Sequence, residues 1–420
     1  MSSVSENSEN VNTTINIRSV EYVKQFSDIN DNFEIIDKIG EGSFAAVFKV
    51  RSKKIEMLKE IFALKFTIPI IDPKRIENEL RILKKIGGKK NVIKLHFAFR
   101  VKDHIFMLMP FVDHIKFIDY YLLMDINEIR DYLRNLLVAL KHVHENKIIH
   151  RDVKPNNFLY DRRRKKFTLV DFGLAHSEVH GDLGSWFDDE DHSDFGNEKI
   201  AIKSIDSQNN MKRQDTGTLK SRLSDTSILS ESNQIEASCI CGNRLTTCHG
   251  CRTRPHPQVR RGGTVGYRPP EVTMRHTEQT TAVDTWAVGI IMAIFLTGKY
   301  PFFKVDDDLD VFHSLIYFLS FEKMQAAAKD IQRRIIVNPK PLPLIGAFND
   351  WIKSRCQFIR KNCEKITKLI KDNSDKNCIY GNHAEFDDSA YDLLSKLLEP
   401  KFHTRITCRE ALQHKFFNII

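Results

Sequence analysis

The chain has 420 residues, 41% hydrophobic and 28% charged, with a formal net charge of +9. This allows one large or two modest domains with ample core, while no apolar run approaches the ~20 residues of a membrane span and the longest, 287–296, reads as a buried helix. The first residues lack a signal peptide's apolar core, the eight cysteines are not spread as a disulfide framework, and the basic excess is modest, so a reducing cytosolic or nuclear compartment is expected, with no membrane and no specific nucleic-acid contact.

Residues 1–28 are rich in Ser, Asn, Glu and Thr and read as a disordered arm. From Phe33 the pattern becomes strand, glycine-rich turn, strand. Ile39, Gly40, Glu41, Gly42, Ser43, Phe44, Ala45 and Val47 form its nucleotide-facing set, in which glycines let backbone amides approach a triphosphate and Val47 covers the base. Such a turn alone is a weak signal, because Ala45 stands where a third glycine is usual. Phe62-Ala63-Leu64-Lys65-Phe66 follows as a strand whose lysine contacts phosphates, and 75–83 has helical spacing. Lys65 needs an acidic partner; Glu79 lies in the better register and Glu77 is the less favoured choice.

The run 105–112 reads as a buried strand ended by proline, a lobe connector with Met109 toward the nucleotide and the backbone of Pro110 and Val112 toward the base. A helix over 127–144 carries an apolar stripe of core residues and leads into His150-Arg151-Asp152-Val153-Lys154-Pro155-Asn156-Asn157. Two short strands, 158–160 and 167–170, flank a basic turn and end at Asp171-Phe172-Gly173, so a hairpin brings Asp171 back beside Asp152. Phosphoryl transfer needs a carboxylate to orient the attacking hydroxyl and take its proton. It also needs an amide oxygen and a second carboxylate to hold magnesium. Asp152, Asn157 and Asp171 fit those roles in that order.

By these motifs the sequence resembles the eukaryotic protein kinases over 33–417, which implies an α+β, bilobal protein-kinase fold: a β-rich N-lobe over 33–109 and a helical C-lobe over 112–417. The resemblance extends to Gly263-Thr264-Val265-Gly266-Tyr267-Arg268-Pro269-Pro270-Glu271, with proline in place of an alanine, and to Asp284-Thr285-Trp286. It implies that Lys154 steadies the γ-phosphate of ATP as in the serine/threonine branch, that Thr264 belongs to the catalytic set, and that Arg405 pairs with Glu271.

A long activation-segment insertion fills 177–257. Near its end Cys239, Cys241, Cys248 and Cys251 have a spacing that can close a tetrahedral zinc site. His249 or His256 replacing one cysteine, or four unrelated thiols, are the alternatives. A second addition, 322–386, reads as either a solvated surface helix or a partner-docking segment. Arg261 and Arg268 bracket the docking loop, and guanidinium groups pair well with carboxylate or phosphate. A serine or threonine followed by an acidic or phosphorylated residue is therefore the expected target, unless Arg268 only braces the loop.

A kinase split by this cysteine-bearing insertion and continuing with Arg261-Gly262-Gly263-Thr264 resembles the cell-division-cycle-seven kinases that fire replication origins. That resemblance implies a nuclear enzyme using ATP and Mg2+, acting on the minichromosome maintenance helicase and dependent on a regulatory subunit of the dumbbell-former type. The rivals are a constitutively active acidic-directed kinase of the casein kinase two type and a non-catalytic scaffold on the kinase fold.

Overall fold

The computed structural model describes residues 18–42, 45–53, 60–69, 72–177, 262–304, 307–337, 352–354 and 386–418. Ser43, Phe44, Arg261, the four clustered cysteines, His249 and His256 lie outside the described residues.

The N-lobe is a five-stranded antiparallel sheet in the order β1-β2-β3-β5-β4, with β1 Phe33–Glu41, β2 Ala45–Ser52, β3 Ile61–Thr67, β4 Phe97–Val101 and β5 His104–Pro110. Side chains on a strand alternate between faces, so Ala63 and Lys65 share one. The pairing register sets Val47 opposite Lys65 and Met109 opposite Ala63, which assembles a roof over the cleft from three strands.

The expectation of a disordered arm over 1–28 is corrected from Val20 onward. Helices α1 (Val20–Lys24) and α2 (Ser27–Asn32) precede β1, and their Val23, Phe26 and Ile29 are buried with Phe48, Phe66 and Phe106 of the sheet. Residues 1–17 lie outside the described residues. The His104 imidazole ties this layer to the sheet. Its Nδ1 lies 3.2 Å from the Thr67 carbonyl, which can only accept, so Nδ1 carries the hydrogen; Nε2 then accepts from the Tyr22 hydroxyl at 3.1 Å.

Helix α3 (Pro73–Ile86) starts on an Asp72 cap with proline in its first turn. Its inner face, Ile82, Leu83 and Ile86, joins the C-lobe core rather than the sheet cluster. The C-lobe is built on α5 (Ile126–Glu145), after the short α4 (Phe117–Tyr120), and on a helix over Ala282–Thr297. The latter is apolar all round and buried along its length, as a central core helix must be. It ends on Gly298 in the left-handed region, φ 60. Strands β6 (Ile148–Ile149), β7 (Phe158–Asp161), β8 (Lys166–Leu169) and β9 (His176–Ser177) form two ribbons, β6-β9 and β7-β8, that carry the cleft floor. With α6 (Pro270–Thr273) and with Ala282–Thr297 as α7, the lobe continues through α8 (Asp308–Leu319), α9 (Phe321–Asp330), α10 (Asp388–Leu397) and α11 (Cys408–Leu412).

The second addition does not begin as an appendage at 322. Helix α9 buries Met324, Ala327 and Ala328 and packs on α6 and α8, and Ile352 is fully buried in the main core. Both segments contribute apolar surface to the core, while residues 355–385, which hold most of the helical pattern read as solvated or partner-docking, lie outside the described residues. Among the described residues, no helix is long and apolar enough to cross a membrane.

Candidate active site

A cavity of about 890 Å³ lies between the lobes, under β1 to β3 and above β7 and β8. Its lining includes Ile39, Gly40, Glu41, Gly42, Ala45 and Val47, then Ala63, Lys65, Met109, Pro110 and Val112. Asp152, Lys154, Asn157, Asp171 and Thr264 line it from the other lobe. Ser43 and Phe44 are the members of the nucleotide-facing set that fall outside the described residues. The sequence reading missed Ile115 and Tyr300, which also line the cavity. No spacing rule signals them.

On the roof, Lys65 Nζ lies 2.6 Å from Glu79 Oε1 and 3.0 Å from Asp171 Oδ1. Burial alone would push this ammonium's pKa down, but the two carboxylates outweigh that and hold it raised and charged. Lys65 in turn holds the Asp171 carboxyl at about 2. Of the two glutamates considered as partners, Glu79 is buried and Glu77 points to solvent. Two more residues of the same helix reach the segment after Asp171: Arg75 Nε donates to the Gly173 carbonyl at 2.5 Å and Asn78 Nδ2 to the Ala175 carbonyl at 2.9 Å. These two were missed, although positions 75, 78 and 79 share one helical face and so signal a joint target.

On the floor, Asp152 is surrounded by donors. Thr264 Oγ1 donates to its Oδ1 at 2.6 Å, while Lys154 Nζ at 2.9 Å and Asn157 Nδ2 at 3.0 Å meet Oδ2. Lys154 also donates to Thr264 Oγ1 at 2.8 Å, closing a ring. With Nδ2 of Asn157 spent on Asp152, its amide oxygen is directed elsewhere; Asp171 keeps a carboxylate oxygen beyond the one facing Lys65, on a half-exposed side chain. One amide oxygen and one carboxylate make a hard-oxygen pair that suits magnesium.

The loop carrying Asp152 hangs from Asp284 near the start of α7. His150 N and Arg151 N each donate to this fully buried carboxylate at 2.8 Å, which holds Arg151 at φ 69. His144 Nε2 lies 2.9 Å from Asp284 Oδ2. Burial pushes the His144 imidazole down, but Cys408 and Asp284 beside it prevail and raise it to about 10. His144 was not anticipated; it ends the helical pattern whose apolar stripe reads as core. At the far end of the lobe Arg405 makes two bonds to Glu271, at 2.7 and 2.9 Å, and lies over the Trp286 ring.

Of the two readings of Arg268, the geometry favours bracing. It was expected to offer its guanidinium to an acidic substrate, yet it donates to the carbonyls of Gly262 and Gly263 and pairs with buried Asp308 at 2.5 Å. A guanidinium with its donors so committed braces the loop. The tight packing there explains the glycines: a Cβ on Gly262 would lie 2.5 Å from the Arg151 guanidinium.

The site holds charge-neutralising and orienting groups, with one carboxylate set to receive a hydroxyl proton, and that is the division of labour of a protein kinase. Residues 33–187 and 250–417 match the protein kinase domain family. The chain is 30% identical to a probable cell division control protein 7 homolog of Encephalitozoon cuniculi, over 94% of this chain and 95% of that one. It is 29% identical to the human cell division cycle 7-related protein kinase, over 94% and 91%, and 28% identical to the Drosophila melanogaster serine/threonine protein kinase Cdc7, over 93% and 75%. The chain belongs to the eukaryotic serine/threonine protein kinases, within the Cdc7-related family, and is an ATP-dependent enzyme.

Proposed function

We propose that this kinase promotes the start of DNA replication in the nucleus by phosphorylating minichromosome maintenance helicase subunits at serines or threonines followed by acidic or phosphorylated residues. In the same proposal, a regulatory subunit of the dumbbell-former type switches it on. The observation that carries the reading is the joined pair of clusters, Lys65-Glu79-Asp171 above and Asp152-Lys154-Asn157-Thr264 below, in a chain whose relatives bear the Cdc7 name.

In this reading Lys65 binds the α- and β-phosphates, with Glu79 keeping it in place. The glycine-rich turn, Ala63, Met109, Pro110 and Val112 cradle the nucleotide. Asp152 accepts the proton of the substrate hydroxyl on a carboxylate lone pair that Thr264 does not occupy. Lys154 steadies the transferring phosphoryl group and Thr264 keeps the acceptor loop against Asp152. Asn157 and Asp171 would hold magnesium, which when bound offsets charge on the phosphates. Acid selectivity is assigned to Arg261, since Arg268 is committed to Asp308.

The direct test is ATP-dependent transfer to a helicase-subunit fragment with and without the copurifying subunit. Asp152→Asn should lower turnover by about 10²- to 10⁴-fold, the usual contribution of a general base. Activity without the subunit equal to that with it would sink the subunit proposal and favour the constitutive rival, toward which the seated Glu79 points. The cysteines at 239, 241, 248 and 251 are proposed to hold one structural zinc that folds the end of the insertion. Metal analysis should find one zinc per chain, lost with Cys251→Ser; a metal-free chain indifferent to that change would remove the assignment.

A further inference from the structure

Two stretches far apart in sequence bring together, at the back of the molecule, positive charge that pairs with no described carboxylate. Leu169, at the end of β8, donates its N–H to the Asn91 carbonyl, accepts from Ile93 N, and forms a parallel bridge with Val92. Lys89 and Lys90 occupy the turn immediately before, closed by Val92 N donating to the Lys89 carbonyl at 2.9 Å. Because the bridge is parallel, this turn lies at the same end as the β7-β8 turn, which carries Arg163, Lys165 and Lys166. The three residues from Leu169 back to Lys166 span about 10 Å at strand rise. That is about one Debye length at moderate salt, so the five cations act as one field.

All five side chains are exposed, and none makes an ion pair with a described residue. The last turn of α3 adds exposed Lys84 and Lys85 just above. The carboxylates nearby are already committed: Asp161 to Arg164 at 3.0 Å, Glu128 to Arg162 at 2.7 Å and Asp131 to Arg134 at 3.7 Å. Mutual repulsion among these cations is therefore not relieved from within the described fold.

We propose that this ridge docks an acidic segment of a protein substrate, a run of carboxylates or phosphoserines outside the acceptor site. The proposal rests on the reading of the enzyme as acid-directed, and adds a second contact remote from the cleft. A polypeptide fits better than a single-stranded nucleic acid because none of the exposed large apolar side chains among the described residues, Phe97 included, lies on the ridge to stack bases. A duplex, bound through its phosphates, is separated by the test below. Partner charge meeting an exposed lysine field governs encounter and KM more than the chemical step.

The test compares two substrates with one acceptor sequence, one of them joined through a long Gly/Ser linker to a run of glutamates. Both are assayed with the full chain and its activating subunit, and binding of the labelled glutamate run alone to the full chain is followed by anisotropy. The tail should lower KM at low salt, with kcat unchanged. Reversing Lys89, Lys90, Lys165 and Lys166 together to Glu should raise KM for the tailed substrate about fivefold or more, as four lost exposed pairs allow. The tail-free substrate should be unaffected, and a Lys→Gln set should give an intermediate loss, guarding against a folding defect. Equal KM for tailed and untailed substrates, or a tail effect that survives charge reversal, overturns the proposal. So does duplex DNA binding the ridge while the glutamate run does not. If the tail effect holds while acidic and neutral residues after the acceptor perform alike, docking stands and the acceptor-site preference falls.

Discussion

His144 is positioned to make the catalytic loop sensitive to alkali. Its imidazole sits against Asp284, the carboxylate from which His150 N and Arg151 N hang, and its pKa is raised from 6.5 to about 10. A group whose folded pKa is raised contributes stability that is fully present below its unfolded pKa and is lost as pH rises through the folded one. The parent chain should therefore lose stability between pH 6.5 and about 10, and His144→Gln should flatten that slope while being less stable at neutral pH. Parallel melting curves across this window check it; equal slopes would show that the pair is not charged. Asp152, Asn157 and Asp171 were legible because phosphoryl transfer fixes both residue type and spacing. The sequence leaves Arg268 between substrate binding and loop bracing, since its partner Asp308 lies forty positions on in another helix and no local pattern announces it.

Helices α1 and α2 are elements that neither propensity nor composition announces. They are 5 and 6 residues long, too short to persist alone in water. What holds them is a stripe, Val20, Val23, Phe26 and Ile29, laid against the aromatic face of the sheet. That spacing of three was present in the sequence but was averaged away when the polar arm was judged as a whole. Phe26 meets Phe66 and Phe106 with ring centroids 6.4 and 5.9 Å apart. Phe26→Ala should cost about 3–5 kcal/mol of N-lobe stability, the usual range for a buried phenylalanine. Denaturant titration measures it, and a loss under about 1 kcal/mol would mean that the helices contribute little. The strands were easier to read because their alternation and glycine turn are local signals. The Glu79 helix was legible for the same reason.

Across the whole molecule, α7 is the part to which the catalytic loop, the substrate-side loop and the closing helices are all fastened. Arg405 completes it by bonding Glu271 and the Ala282 carbonyl while covering Trp286, with the paired side chains 0% and 3% exposed. Removing one partner leaves a buried charge without compensation. Glu271→Ala should destabilise the chain by about 3–5 kcal/mol, and replacing both partners with apolar residues should recover much of that. Calorimetry on the single and double variants separates the outcomes; a double variant no better than the single would assign the pair a purely geometric role. The bilobal plan was legible from the order of motifs. The entry of 321–330 and Ile352 into the core was not, because apolar residues scattered among lysines do not declare which lobe they join.

The hooks from Arg75 and Asn78 to the carbonyls behind Asp171 join α3 and the segment after Asp171 into one mechanical unit. Phe172, fully buried between Asp171 and Gly173, is held from both sides of that junction. Loosening either hook would free the cleft's metal-facing edge from the helix that seats Glu79, so the two ends of the Lys65 pairing would no longer move together.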